Sequence, residues 1–273
     1  MRNKNTDKLL SDVIDITKSA GSIIMRLYNS NYTHSTKEDL TPVTGADISA
    51  HKFILKRLKE ISDLPCISEE STNLISEYKN LKTEPLFWLV DPLDGTKEFI
   101  NKNDEFTVNI ALIENNKPII GVIFCPALNL LYYANSTDKA YKQVNDGEVQ
   151  SIQVAPPPKE NETWKIAGSR YHGKDELKKY AAHFENSKII PTGSSLKLCY
   201  VADGTVHLYP RLAPTCEWDT AAGQIIVEMA GGEVISNTLE PLRYRKSHTF
   251  LNPNFIACNT EIKSTWKKLL KNY

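Results

Sequence analysis

Trp88-Leu89-Val90-Asp91-Pro92-Leu93-Asp94-Gly95-Thr96 runs from unbroken apolar residues into two aspartates three positions apart. The apolar part, Leu86 to Val90, reads as a buried strand, and it ends on a carboxylate. Sites in sheets flanked by helices lie at such carboxyl ends of strands. Pro92 fixes the backbone and removes one donor, and Gly95 allows a tight turn. An aspartate beside a strongly apolar strand is costly unless it is paired. Two of them on a rigid turn can point at a common centre, where they repel each other. A hard cation such as Mg²⁺, which takes oxygen ligands at about 2.0–2.1 Å, relieves that repulsion.

Upstream, Asp7 to Asn29 carries Leu10, Val13, Ile14, Ala20, Ile23, Ile24 and Leu27 at helical spacing. A second helix is expected from about Ala46 through Leu58, after a polar loop or short ribbon from Asn31 to Gly45. Leu64 to Ser68 reads as a strand that leads into Glu69-Glu70. Downstream, Thr107–Ile113, Ile119–Phe124, Leu130–Ala134 and Ala140–Val144 alternate with turns, and Asn145-Asp146-Gly147 is a hairpin signal. These segments predict an antiparallel meander.

Ala155-Pro156-Pro157-Pro158 marks a boundary between residues 1–155 and 159–273. Beyond it, strands near Lys165, Lys188 and Val206 alternate with helices over Lys174–His183, Ser195–Ala202 and Thr220–Met229. The last helix stops at Gly231-Gly232. The fold class is thus mixed, with an α+β first half and an α/β second half.

The 273 residues are enough for a sizeable core, and 41% hydrophobic with 24% charged residues is ordinary for a globular chain. Lys plus Arg and Asp plus Glu both number 33. This balance argues against an extended nucleic-acid surface, so an anionic ligand must be held by a local site. No apolar run suits a signal peptide or an integral membrane segment. Five scattered cysteines without a C-x-x-C pair argue against disulfides and zinc, and for the reducing cytoplasm.

Two more acidic segments stand beside apolar runs. Glu69-Glu70 offers a third carboxylate, or is simply a solvated pair. Asp219, in Glu217-Trp218-Asp219-Thr220, sits near a helix N-terminus that suits a metal-bound phosphate, or is simply an N-cap. The Asp-x-x-Asp spacing differs from the Asp-x-Asp of phosphatases that form an aspartyl-phosphate. No P-loop, G-x-S-x-G or cysteine nucleophile motif is present, which leaves water activated by a metal.

The segments Thr44-Gly45-Ala46-Asp47, Ser68-Glu69-Glu70, Asp91 to Thr96 and Glu217 to Gly223, in this order, resemble the signatures of the inositol monophosphatase superfamily. Thr96-Lys97-Glu98-Phe99, Ser169-Arg170-Tyr171-His172, Gly193-Ser194-Ser195-Leu196-Lys197 and Tyr209-Pro210-Arg211 resemble its CysQ-type branch of 3'(2'),5'-bisphosphate nucleotidases. The resemblance implies a five-layered αβαβα sandwich. It implies release of the 3'-phosphate from adenosine 3',5'-bisphosphate, and from its sulfated relative in sulfur metabolism, with two or three Mg²⁺ ions and sensitivity to lithium.

It also implies that Glu69, Asp91, Asp94, Asp219 and the Leu93 carbonyl hold the metals. Glu69 and Thr96 would orient the attacking water. Asp47 would accept a proton, either directly or through Thr96 and water. Gly95, Thr96 and Asp219 would meet substrate, and Ser169, Arg170, His172, Gly193 and Lys197 would complete the nucleotide site. Four residues of these segments have a structural alternative. Arg170 and Lys197 can be surface charges, His172 can cap the following helix, and Arg211 can pair with a sheet carboxylate. An inositol or sugar phosphate monophosphatase and an inactive metal- or ligand-binding protein are the competing functions.

Overall fold

A computed structural model describes residues 2–30, 34–36, 42–81, 84–171 and 173–262. In chain order the elements are α1 (Arg2–Tyr28), β1 (His34–Thr36), β2 (Pro42–Thr44), α2 (Gly45–Ile61), β3 (Cys66–Ser68), α3 (Leu74–Leu81), β4 (Leu86–Asp94) and α4 (Thr96–Ile100). There follow β5 (Thr107–Glu114), β6 (Lys117–Cys125), β7 (Leu130–Asn135), β8 (Ala140–Val144) and β9 (Val149–Ser151). The rest are β10 (Trp164–Gly168), α5 (Lys174–Ala181), β11 (Ser187–Pro191), α6 (Leu196–Ala202), β12 (Leu208–Arg211), α7 (Ala221–Met229), β13 (Gly232–Ser236) and β14 (Phe255–Asn259).

The expected meander is present and larger than the sequence suggested. Seven strands lie in the order β3-β4-β5-β6-β7-β8-β9, antiparallel throughout except for the parallel β3–β4 pair. The hairpin signal is met by Asn145 and Asp146, both at positive φ, before β9. A second sheet has the order β11-β10-β12-β14-β13. Its first three strands are parallel and β14 runs against its neighbours. The β13–β14 pair and the short helices α3 and α4 were not anticipated from the sequence. The polar stretch after α1 holds the β1–β2 ribbon.

Packing arranges these parts in five layers. Helices α1 and α2 cover one face of the seven-stranded sheet, where Val13, Ile24, Ile54, Trp88 and Phe106 are buried. Helices α6 and α7 fill the space between the two sheets with Leu196, Val201, Ile225 and Ile226. Helix α5 covers the far face of the five-stranded sheet with Leu177 and Tyr180. The layers approach closely where glycine removes a side chain. A Cβ on Gly121 in β6 would lie 2.4 Å from Ile225 and 2.5 Å from the Ala222 carbonyl oxygen in α7. The central cluster draws on both sheets, so one core spans the proline-rich segment. Cys125, Cys199 and Cys258 are buried in these cores, and all five cysteines are free thiols. Among the described residues, no helix is long and apolar enough to cross a membrane.

Candidate active site

Strand β4 continues past Val90 to Asp94, because its pairing with β5 absorbs an extra residue. Asp91 faces Asn109 and Asp94 faces Thr107, so three steps along β4 match two along β5. In a regular strand, residues three apart point to opposite faces. The bulge at Pro92-Leu93 restores a common face, and proline is tolerated within a sheet at such a position. The Leu93 N–H donates to Asp91 Oδ1 at 3.1 Å, which fixes the first carboxylate inside the turn.

Parallel pairing of β3 with β4 sets Ser68 beside Val90. The Glu69 N–H donates to the Val90 carbonyl at 3.1 Å, so Glu69 emerges at the same sheet edge as Asp91. The third aspartate comes from the other side of the cleft. Asp219 lies in a single 3-10 turn, Glu217–Asp219, before α7. Thr220, not Asp219, holds the N-cap position of α7, and Asp219 Oδ2 accepts the Cys216 N–H at 2.9 Å.

Asp91, Asp94 and Asp219 each present an oxygen within 4.8 Å of the others. At that separation, a pair of like charges costs roughly 3 kcal/mol at an effective dielectric of 20. Burial, followed by the neighbouring charge of Glu69, pushes the Asp91 carboxyl well above its usual range. Burial, followed by Asp94, does the same to Asp219. Asp91 Oδ2 is buried and has no hydrogen-bond partner among the described residues. A hard cation with oxygen ligands at about 2.1 Å keeps those ligands within about 4.2 Å of one another, close to the observed spread. A carboxylate-only set also matches the oxygen preference of magnesium. The residues present therefore fit a divalent ion.

The cleft around this cluster has a volume of about 450 Å³. Asp47, Glu69, Asp91, Leu93, Asp94, Gly95, Thr96, Ser169, Lys197 and Asp219 all line it. Asp47 is buried in the first turn of α2. Gly95, at φ +90°, turns the chain from β4 into α4, whose first residue is Thr96. Arg170 and Gly193 do not line the cleft; they converge behind its wall on Glu105. Arg170 Nε and Nη2 each donate to Glu105 at 2.7 Å, and the Gly193 N–H donates to Glu105 Oε2 at 2.7 Å. That bidentate bond, first among its causes, raises the already high pKa of Arg170. His172 lies outside the described residues.

Lys197 is buried rather than a surface charge, and burial lowers its pKa to about 8. Its ammonium donates to the carbonyls of Thr192, at 3.4 Å, and Ser194. Arg211 lines the cleft but, among the described residues, pairs with no sheet carboxylate; it donates to the carbonyls of Ala213 at 2.9 Å and Pro214 at 2.7 Å.

Several contributors escaped the sequence reading. Ser194, at φ +53°, donates to Asp94 Oδ2 at 2.8 Å. The Thr107 hydroxyl lies 2.6 Å from that of Ser194 and 2.7 Å from that of Ser195, and donates to Asn109 at 2.9 Å. This hydroxyl chain locks the turn of one sheet onto β5 of the other. A run of Thr107 and Asn109 on an otherwise apolar strand was the available signal. Glu105, in a loop, gave none.

A family model described as the inositol monophosphatase family matches residues 5–272. The 3'(2'),5'-bisphosphate nucleotidase CysQ of Salmonella typhimurium is 42% identical over 252 residues, covering 90% of this chain and 98% of that protein. The protein of the same name from Buchnera aphidicola is 44% identical over 255 residues, covering 92% and 93%. A crystal structure of CysQ from Bacteroides thetaiotaomicron superposes with a TM-score of 0.79 at 37% identity, covering 92% of this chain and 97% of that one.

Proposed function

The chain belongs to the inositol monophosphatase family, and on that premise we propose that it is a 3'(2'),5'-bisphosphate nucleotidase. It would release the 3'-phosphate of adenosine 3',5'-bisphosphate to give AMP, and it would use Mg²⁺, two or three ions per site. The observation that carries the reading is the bulge in β4, which turns Asp91 and Asp94 onto one face opposite Asp219. The free thiols suit a reducing compartment, the cytoplasm.

In this proposal Glu69, Asp91, Asp94, Asp219 and the Leu93 carbonyl hold the ions. When bound, the ions supply charge neutralisation at the scissile phosphate and lower the pKa of the attacking water. The chain does the rest by position. Gly95 and Thr96 offer backbone N–H groups to the phosphate at the start of α4, and Asp219 also meets the substrate. The Thr96 hydroxyl and Glu69 orient the water, and Asp47 receives its proton. Ser169 and the third donor of the Lys197 ammonium face the substrate's other phosphate. Arg170 and Gly193, tied to Glu105, hold that wall in place, and the family resemblance gives His172 to the nucleotide site.

Phosphate release from adenosine 3',5'-bisphosphate and from inositol 1-phosphate, each with and without Mg²⁺, tests the reading. The expected result is fast, Mg²⁺-dependent release from the nucleotide. A preference for inositol 1-phosphate would move the chain to the monophosphatases, and activity undiminished by excess chelator would remove the metal.

A further inference from the structure

The cleft has a lip that the proposed chemistry does not use. Tyr171, between β10 and α5, lines the cleft and leaves 41% of its surface exposed. A single exposed apolar side chain needs no explanation. This one is distinguished by being fixed across the cleft. Its hydroxyl accepts from Asn101 Nδ2 at 3.3 Å and from Asn103 Nδ2 at 3.4 Å, both just beyond the C-terminal end of α4. Asn101 Nδ2 also donates to the Lys97 carbonyl at 2.9 Å, and Asn103 Oδ1 accepts the Glu105 N–H at 3.1 Å. The two amides that hold the phenol oxygen are therefore themselves held. On the backbone side, the preceding residue, Arg170, is clamped by Glu105.

A tyrosine tethered at both ends presents a π face with little freedom left to lose on binding. Its position carries a measure of length. Helix α4 starts at Thr96, beside the carboxylate cluster, and ends before Asn101. At 1.5 Å per residue, the backbone that tethers Tyr171 lies about 7.5 Å along the helix from the proposed phosphate position, with the asparagine side chains reaching from it to the phenol. A ribose fills such a gap, with its phosphate at one end and its base at the other.

We propose that Tyr171 is the platform on which the substrate's nucleobase stacks. The proposal rests on the nucleotidase reading and deepens it. A ring whose neighbouring amides are turned to its own hydroxyl reads the face of a base, not its hydrogen-bonding edge. Stacking of this kind is tolerant of base identity. The enzyme is then specific for nucleoside 3',5'-bisphosphates as a class, with purines ahead of pyrimidines because they offer more ring area.

The test compares the parent enzyme with Tyr171→Leu and Tyr171→Phe in Mg²⁺. The substrates are adenosine 3',5'-bisphosphate and the base-less 1-deoxyribose 3,5-bisphosphate, and the readout is the ratio of their kcat/KM values. Tyr171→Leu is expected to lower that ratio roughly 5- to 150-fold, the range of base–aromatic stacking, mainly through KM on the nucleotide. Tyr171→Phe, which keeps the ring but loses the hydroxyl that Asn101 and Asn103 hold, should fall between the parent and Tyr171→Leu. An unchanged ratio in Tyr171→Leu, or an equal fall on both substrates, overturns the platform while leaving the nucleotidase intact. A parent enzyme that hydrolyses neither substrate overturns the nucleotidase reading and the platform with it.

Discussion

Asp94 accepts the Ser194 hydroxyl on one oxygen and faces two further aspartates. Asn at this position keeps the shape and an acceptor for Ser194 but removes one negative charge. Asp94→Asn is therefore expected to fold normally and to lose nearly all turnover. It should also lose most of the rise in melting temperature that Mg²⁺ gives the parent, since binding to the native state alone stabilises by about 2.7 kcal/mol at a hundred times Kd. Calorimetry with and without Mg²⁺ checks this apart from activity. Glu217, two residues before Asp219, makes a different case. It is fully buried and accepts the backbone N–H of Arg245 at 2.5 Å and of Lys246 at 3.2 Å. Burial outweighs those two donors and pushes its pKa up from 4.5 to about 7. The fold thus holds this proton more tightly than the unfolded chain does. The contribution, roughly 3 kcal/mol, is complete below pH 4.5 and is lost as pH rises through about 7. Glu217→Gln should flatten the pH dependence of the urea midpoint across that window, with Mg²⁺ present throughout; an unaltered slope would contradict it. Residues of this kind mark the limit of sequence reading. Asp91 and Asp94 were legible because a carboxylate on an apolar run demands an explanation, whereas Asp219, which reads alone as an N-cap, joined them only through the family resemblance. Glu105, Glu217 and the burial of Lys197 depend on contacts between segments far apart in the chain.

At the scale of elements, hydrophobic period and turn chemistry placed α1, α2, the meander and α7 within a few residues. The same signals stopped the β4 strand at Val90, because Pro92 reads as a terminator. The structure carries the strand on to Asp94 by giving Pro92 a bulge, a cross-strand feature that one strand's sequence does not display. The pair β13–β14 was missed for a similar reason: it closes the sheet at its end, and its short runs lie beyond the last motif. Helix α7 rests on β6 through Gly121, where an added methyl has nowhere to go. Gly121→Ala should cost about 1–3 kcal/mol in denaturant unfolding and reduce turnover, because displacing α7 also shifts the turn that bears Asp219. Gly45→Ala, with nothing within 4 Å of the new methyl, should leave stability within about 1 kcal/mol of the parent. Equal costs at the two positions would show that close approach is not what matters at Gly121.

For the whole molecule, the proline-rich segment suggested two halves, 1–155 and 159–273. We propose that they behave as one cooperative unit, since Leu89, Ile123, Val234 and Ala257, two from each sheet, are buried in a single cluster around α6 and α7. Far-UV circular dichroism and the fluorescence of Trp88 and Trp164, one in each sheet, should then report coincident urea transitions. Separated transitions would restore independent halves. That shared core has a consequence while the protein is being made. The seven-stranded sheet is finished at Ser151, yet the helix that covers its inner face ends at Met229, nearly 80 residues later. At 5–20 residues per second, a ribosome takes roughly 4 to 16 s to supply it. For that interval the nascent chain presents a complete sheet with one apolar face bare and two of its three clustered aspartates waiting for the third. The newborn chain is therefore expected to need chaperone cover before it is a catalyst, and a ribosome stalled between these two points to leave behind an aggregation seed.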